Sequence, residues 1–207
     1  MRMMAIGAIV LASIGWAQAE DSEDITGLME GRCSHCHGDA GEASSMIYPR
    51  LAAQNRVYLE KQLRNFRDGA RVSDVMNDMA ADLTDSQIAA LAEFFSKQPV
   101  ETHRVRASKQ SLEAVGYYIY HEGNAYEQIP ACSDCHGEFG AGDEDLPRLA
   151  GQHRNYVVEQ LTAFDERTRT NDSAIMHSIA KQLTELEVNA VALYVSGLGE
   201  EVQEAGN

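Results

Sequence analysis

Apolar residues fall at helical spacing in two stretches of each half of this chain. One stretch runs near 55–67, with Leu59, Leu63 and Phe66 on a single face, and another near 153–166 repeats it. A later stretch in each half opens on Thr84-Asp85-Ser86-Gln87 or Thr184-Glu185-Leu186-Glu187. In such sequences the threonine and the residue three places on can satisfy each other's free backbone N–H groups at a helix start. Apolar stripes follow: Ile88, Leu91 and Phe95 in one half, Val188, Val191 and Val195 in the other. No convincing strand alternation is present, so the pattern predicts an all-α fold. The extreme N-terminus differs, because residues 3–16 are almost uniformly apolar, follow Arg2 and lead into Ala17-Gln18-Ala19. That is the form of a secretory signal peptide spanning 1–19, with a mature chain from Glu20. The run is short of the roughly 20 apolar residues that a membrane-spanning helix needs. No later stretch is apolar enough to cross a bilayer, so no transmembrane segment is expected in the mature chain.

The chain is also written twice, with an offset near 98 residues. Pro49-Arg50-Leu51-Ala52 returns as Pro147-Arg148-Leu149-Ala150. Gln54, Tyr58, Gln62, Leu63 and Phe66 return as Gln152, Tyr156, Gln160, Leu161 and Phe164. Two units are therefore expected, 20–100 and 101–207, with a boundary near 99–106. Each is the size of a minimal domain that needs help to build a core. The net charge of the chain is −15, and without 1–19 it becomes −16. Residues 20–100 hold 14 acids and 8 bases, and 101–207 hold 18 acids and 8 bases. This balance argues against nucleic acid or an anionic membrane surface as a natural partner; it fits a protein partner with a basic docking patch and equally fits acid that keeps the protein soluble, and charge alone does not choose between the two.

Chemistry enters through the cysteines. The four in the chain lie in two copies of C-x-x-C-H, Cys33-Ser34-His35-Cys36-His37 and Cys132-Ser133-Asp134-Cys135-His136. Zinc ligation or redox dithiols would account for the thiols but not for a histidine directly after each pair. Covalent haem attachment accounts for both. Two thiols one helical turn apart can add to two vinyl groups on one porphyrin edge, which leaves the next residue under the iron. Cys33, Cys36, Cys132 and Cys135 are thus the expected attachment sites of two haem c groups, one in each unit, and His37 and His136 the expected axial ligands. The two units read as haem c domains 1 and 2.

The repeat also selects the opposite ligand. Met76 precedes Leu83-Thr84 as Met176 precedes Leu183-Thr184, which pairs the two methionines. Met79 pairs with Ile179 and reads as a core residue; His177, beside Met176, has Asn77 as its counterpart. Met/His ligation raises a haem potential and fills both axial positions, so the iron moves electrons without binding a substrate. No catalytic residue is expected. A ligating imidazole is oriented by a carbonyl on its other nitrogen, and the turns at Pro49 and Pro147 are placed to offer one. Arg50, Tyr58, Arg148 and Tyr156 are candidates to hydrogen-bond haem propionates.

These residues resemble the cytochrome c4 family, periplasmic dihaem carriers made of two class I cytochrome c domains. The most specific stretch is Pro147-Arg148-Leu149-Ala150-Gly151-Gln152-His153, continuing through Tyr156, Gln160-Leu161, Phe164 and Arg167-Thr168-Arg169-Thr170-Asn171-Asp172 to Ile175-Met176. The first-half counterpart is weaker but in register, and the resemblance covers essentially the whole mature chain. It implies two domains about a pseudo-twofold axis, propionate edges facing across the interface, and electron delivery in respiration toward a terminal, membrane-bound haem-copper oxidase. Three departures stand out: Ala53 where the repeat has Gly151, Gly69-Ala70 against Arg167-Thr168, and an extra loop at 123–130. A second reading is the dihaem electron-accepting subunit of a flavocytochrome sulfide dehydrogenase-type complex. A dihaem peroxidase would need a releasable iron position, against two equivalent methionines. No cysteine is left for a thiolate-ligated haem of a thiosulfate-oxidising enzyme. Steering through the acidic segment 138–145 is a further expectation.

Overall fold

The structure is a computed structural model that describes residues 24–43, 45–100 and 109–199. The signal sequence at 1–19 and most of the expected boundary at 99–106 lie outside the described residues. Among those residues the chain forms helices and two isolated bridges, Asn124 with Ile129 and Asp143 with Leu146, and no strand. The all-α reading holds. No helix in this set is long and apolar enough to cross a membrane.

In the first half, α1 (Thr26–Leu28) continues through a π-helical turn (Met29–Cys33) into α2 (Ser34–His37). Then come α3 (Arg56–Arg67), α4 (Met76–Ala80) and α5 (Asp85–Ser96). The second half has α6 (Gln110–Glu122), α7 (Ser133–His136), α8 (Arg154–Asp165), α9 (Ile175–Ala180) and α10 (Glu185–Gly197). Both expected capping boxes form. Thr84 accepts from Gln87 N–H and Thr184 from Glu187 N–H, and each partner side chain returns a bond to the threonine N–H.

Each half closes its own core. Leu59 and Phe66 of α3 meet Ile88, Leu91 and Phe95 of α5, with Met29 beside them. In the second half Ile119 and Tyr120 of α6 and Val157 of α8 meet Val191 and Val195 of α10. Helices α6 and α10 cross closely, because a Cβ on Gly116 would land on the Ala190 carbonyl and the Tyr194 Cβ. Removing one side chain at the crossing is what lets the two backbones touch.

Candidate functional site

Each haem motif is a short helix followed by a strained turn that folds back on it. The turn is built the same way twice. Gly41 O accepts from Leu51 N–H (2.8 Å) and Ala52 N–H (3.1 Å), and Gly140 O from Leu149 N–H (2.8 Å) and Ala150 N–H (3.0 Å). His37 O accepts from Ala43 N–H and His136 O from Gly142 N–H, both at 2.8 Å. Gly41 and Gly140 have φ of +78° and +66°, and a Cβ on either would run into the facing backbone and into Phe95 or Leu198. Only glycine serves there.

This turn delivers a proline carbonyl to each histidine. His37 Nδ1 lies 2.9 Å from Pro49 O and His136 Nδ1 lies 3.1 Å from Pro147 O. A carbonyl only accepts, so Nδ1 carries the proton and Nε2 keeps its lone pair. Both rings are buried. Burial outweighs the proline hydrogen bond and holds both imidazoles below the ordinary histidine pKa. The result is two neutral, oriented imidazoles, as a metal ligand requires. None of the four cysteines is bridged to another in a disulfide. Among the described residues no three histidine, cysteine or acidic side chains gather as a metal cage, so the zinc alternative finds no four-ligand site.

Met76 begins α4 and Met176 is the second residue of α9; both are half-buried, with Met76 packed against the first core, which Cys33 also joins. Met79 is 39% exposed, which corrects the expectation that it belongs to the core. It sits on the outer face of a helix only five residues long, where the inward face is taken by Met76 and Ala80. His177 and Asn77 share one task. His177 Nδ1 donates to Phe164 O at 2.9 Å, and Asn77 Nδ2 donates to Phe66 O at 2.5 Å. Each ties the methionine helix to the end of the preceding long helix. The first half adds Arg32, which donates to Met79 O (3.3 Å) and pairs with both oxygens of Asp82.

The two halves meet through contacts that repeat when the halves are exchanged. Gln54 Nε2 donates to Arg148 O (3.0 Å) and its Oε1 accepts from Arg148 N–H (2.7 Å). Gln152 does the same with Arg50 O and Arg50 N–H, both at 2.9 Å. Asn55 Nδ2 reaches Leu146 O (2.6 Å), and its counterpart His153 donates from Nε2 to Ala43 O (2.6 Å). Beside these, Arg71 donates to Gln62, Tyr156 and Gln160, while Arg169 donates to Gln160, Tyr58 and Gln62. Each guanidinium also lies over a phenylalanine, Arg71 over Phe66 and Arg169 over Phe164. Tyr58 and Tyr156 therefore serve the opposite half. Burial opposes ionisation of Tyr58, but the charges of Arg169 and Arg71 outweigh it and lower its pKa.

Arg71 and Arg169 are the residues that sequence reasoning missed. They are 98 apart, as the repeat demands, and directly follow the mismatch of Gly69-Ala70 with Arg167-Thr168; Arg169 lies in the stretch that carries the resemblance, but nothing in the sequence assigned either arginine a role. The backbone repeats across the mismatch. Gly69 has φ +75° and Arg167 φ +62°, and Arg71 and Arg169 N–H both bond at 2.9 Å to the carbonyl six residues back. The acidic segment 138–145 touches the first half at two points. Asn55 holds Ala141 O and Leu146 O, and Lys61 lies 3.8 Å from Asp145. Glu138, Asp143, Glu144 and Asp145 stay exposed beside these contacts.

Comparison with known proteins finds matches over both halves of the chain. A family model described as "Cytochrome c" matches residues 120–199, and one described as "Cytochrome C oxidase, cbb3-type, subunit III" matches 20–95. Cytochrome c4 of Pseudomonas aeruginosa is 37% identical over 170 residues, which cover 80% of this chain and 83% of the relative. The reduced recombinant cytochrome c4 of Pseudomonas stutzeri superposes with a TM-score of 0.78 at 30% identity, covering 85% of this chain and 99% of that one. A thiosulfate dehydrogenase electron acceptor of Stutzerimonas stutzeri is 36% identical, covering 81% of this chain and 79% of its own length.

Proposed function

Because the chain belongs to the cytochrome c4 family, a group of dihaem electron carriers, we propose that it serves in the periplasm, after removal of 1–19, and passes electrons toward a terminal haem-copper oxidase. It carries two covalently bound haem c groups. We assign Cys33 and Cys36 to one and Cys132 and Cys135 to the other, with His37 and Met76, and His136 and Met176, on the axial positions. Residues 20–100 and 101–207 are the two haem c domains of this reading. When bound, each haem supplies a one-electron ferric/ferrous couple.

The observation that carries the reading is the doubled, buried imidazole with Nδ1 spent on a proline carbonyl. Such a ring keeps one orientation and one tautomer as the charge beneath it changes by one, so little reorganisation accompanies electron transfer. Met76 and Met176, both half-buried, would fill the remaining axial position of each haem and so leave no iron position for water or substrate. Arg71 and Arg169 suit the cofactor's acidic edge: both are buried at the interface, and their protein partners are neutral side chains. Two carboxylates arriving there would meet two waiting cations.

The likeness to a thiosulfate dehydrogenase electron acceptor supports a second reading, in which electrons arrive from a thiosulfate-oxidising enzyme. The chain would be that enzyme's acceptor, since all four cysteines are taken by the haems. A spectroscopic redox titration of the purified holoprotein, followed by turnover with each partner, tests both readings. Two one-electron transitions and rapid oxidation by oxidase-containing membranes are expected. Reduction by thiosulfate dehydrogenase without oxidation by such membranes would favour the second reading. Stable co-purification with a flavoprotein would favour the sulfide dehydrogenase-type subunit.

A further inference from the structure

The clearest difference between the halves lies between the long central helix and the last helix of each, where one repeated geometry carries opposite charge. In the first half, Arg67 Nη1 donates to Leu83 O (3.0 Å) and to Asp85 Oδ1 (2.8 Å). Arg64 stands beside it, with Nη1 3.0 Å from Glu60 and Nε 3.6 Å from Asp85. Two arginine stems and their guanidiniums thus cover this stretch of α3 and α5. The repeat puts Val158, Thr162 and Asp165 where Glu60, Arg64 and Arg67 stand, and Leu183 and Glu185 where Leu83 and Asp85 stand. The arginines are gone, the acid that anchored them remains, and a second acid has taken Arg67's place.

What is left in the second half is a groove of about 370 Å³ between α8 and α10. Val158, Leu161, Leu183 and Val188 line it together with Asp165 and Glu185. Apolar walls of this kind suit the methylene stem of a long cationic side chain, and the carboxylates suit its head. Charge elsewhere points the same way. Among the described residues every ion pair uses an arginine or lysine of the first half, and only Lys61 reaches an acid of the second. Asp165 and Glu185 take part in none of them. Val158, Leu161 and Leu183 also pack against the second core, which Cys132 joins as well, so the groove and the second haem attachment site share one core.

We propose that this groove is the seat for an arginine side chain projecting from a basic redox partner, making the second half the face through which the protein docks for electron transfer. The inference rests on the electron-carrier reading above. It adds where the partner binds and which side chain it presents. The first half shows how the seat is filled: by a guanidinium held between an acid at the start of the last helix and the carbonyl two residues before that acid.

Two experiments on the holoprotein test it. In the first, the reduced, isotopically labelled protein is titrated with a tetra-arginine peptide and, separately, with a tetra-lysine peptide. Arginine is expected to shift the amides of Leu161, Leu183 and Val188 at lower concentration than lysine. Equal response to both peptides, or shifts confined to other surfaces, overturns the arginine seat. In the second, the rate of electron exchange with a basic monohaem cytochrome c is measured at low salt for two variants. Asp165→Arg restores the first half's own arginine and should slow the reaction about tenfold, while Glu166→Arg, an equal charge change on a neighbouring exposed residue, should slow it only about twofold. Equal slowing would leave only long-range steering and remove the seat. Failure of the carrier reading would appear separately, as loss of the two redox transitions in the native protein, whereas the peptide titration reads the groove without any electron transfer.

Discussion

Met76 and Met79 are three residues apart on one short helix, and exposure separates them. Met76 is turned into the first core and Met79 is 39% exposed, so the assigned thioether ligand is the inward one. Met76→Ala and Met176→Ala should each remove about half of the near-infrared sulfur-to-iron band and lower one of the two midpoint potentials. Met79→Ala should change neither. A loss of the band on replacing Met79 would move the ligand and overturn the assignment. Backbone strain gives a second test. Ala53 occupies φ +53° where its repeat partner Gly151 has +76°. A side chain in that region costs about 1–2 kcal/mol, while glycine adds about 0.4–1 kcal/mol of entropy to the unfolded chain. The strain is the larger effect. Ala53→Gly is expected to stabilise the protein by about 0.5 kcal/mol and Gly151→Ala to destabilise it by about 1 kcal/mol in urea unfolding.

At the scale of elements, the two halves solve the same packing problem unequally. In the second, α6 crosses α10 with Gly116 against the Ala190 carbonyl. In the first, the helix ahead of the haem is short and interrupted by a π-helical turn, and a Cβ on Gly27 or Gly31 would meet open space. The same substitution should therefore have opposite outcomes. Gly116→Ala gains about 1 kcal/mol of helix propensity but forces a methyl into a backbone, and overpacking of that kind costs about 1–3 kcal/mol with helix displacement on top. A net loss near 1–2 kcal/mol is expected, together with a shift in one haem potential and not the other. Gly31→Ala carries no such clash and should be neutral or mildly stabilising. Equal effects at the two sites, read by thermal unfolding and redox titration, would show that the close crossing is not what glycine serves.

For the whole molecule, the joint between halves rests on paired polar groups as much as on apolar burial. Gln152 accepts from the N–H groups of Arg50 and His153 and donates to Arg50 O, all in buried surroundings. Gln54 makes the corresponding set with Arg148 and Asn55. Truncating either glutamine strands buried backbone groups, each worth about 1–3 kcal/mol. Gln54→Ala and Gln152→Ala should each cost about 3 kcal/mol, by nearly the same amount, since the contacts are exchanged by the pseudo-twofold relation. Their double variant should fall short of the sum, because both act on one interface. Calorimetry of the holoprotein reads this directly. A full sum would mean two independent contacts, not one clasp.

Much of the molecule was legible along the chain, because what carries it is local. Cys33 to His37 and Cys132 to His136 have to be contiguous to do their chemistry. The capping boxes at Thr84 and Thr184 act within one turn. The stripes through Leu59, Phe66, Ile88 and Val191 are a matter of period. The carbonyls of Pro49 and Pro147 could be anticipated for the same reason, as they lie one short turn from the histidines they orient. The tertiary structure decided everything that depends on how one unit sits against the other. It turned Tyr58 and Tyr156 toward the opposite arginines, and it brought Arg71 and Arg169 to the interface from beyond an apparent gap in the repeat. It also tied Ala141 and Leu146 to Asn55 across the joint, and left between α8 and α10 a groove where the first half has arginines. Spacing along the chain sets which face of a helix a residue occupies. Only the docking of the two halves sets what that face meets.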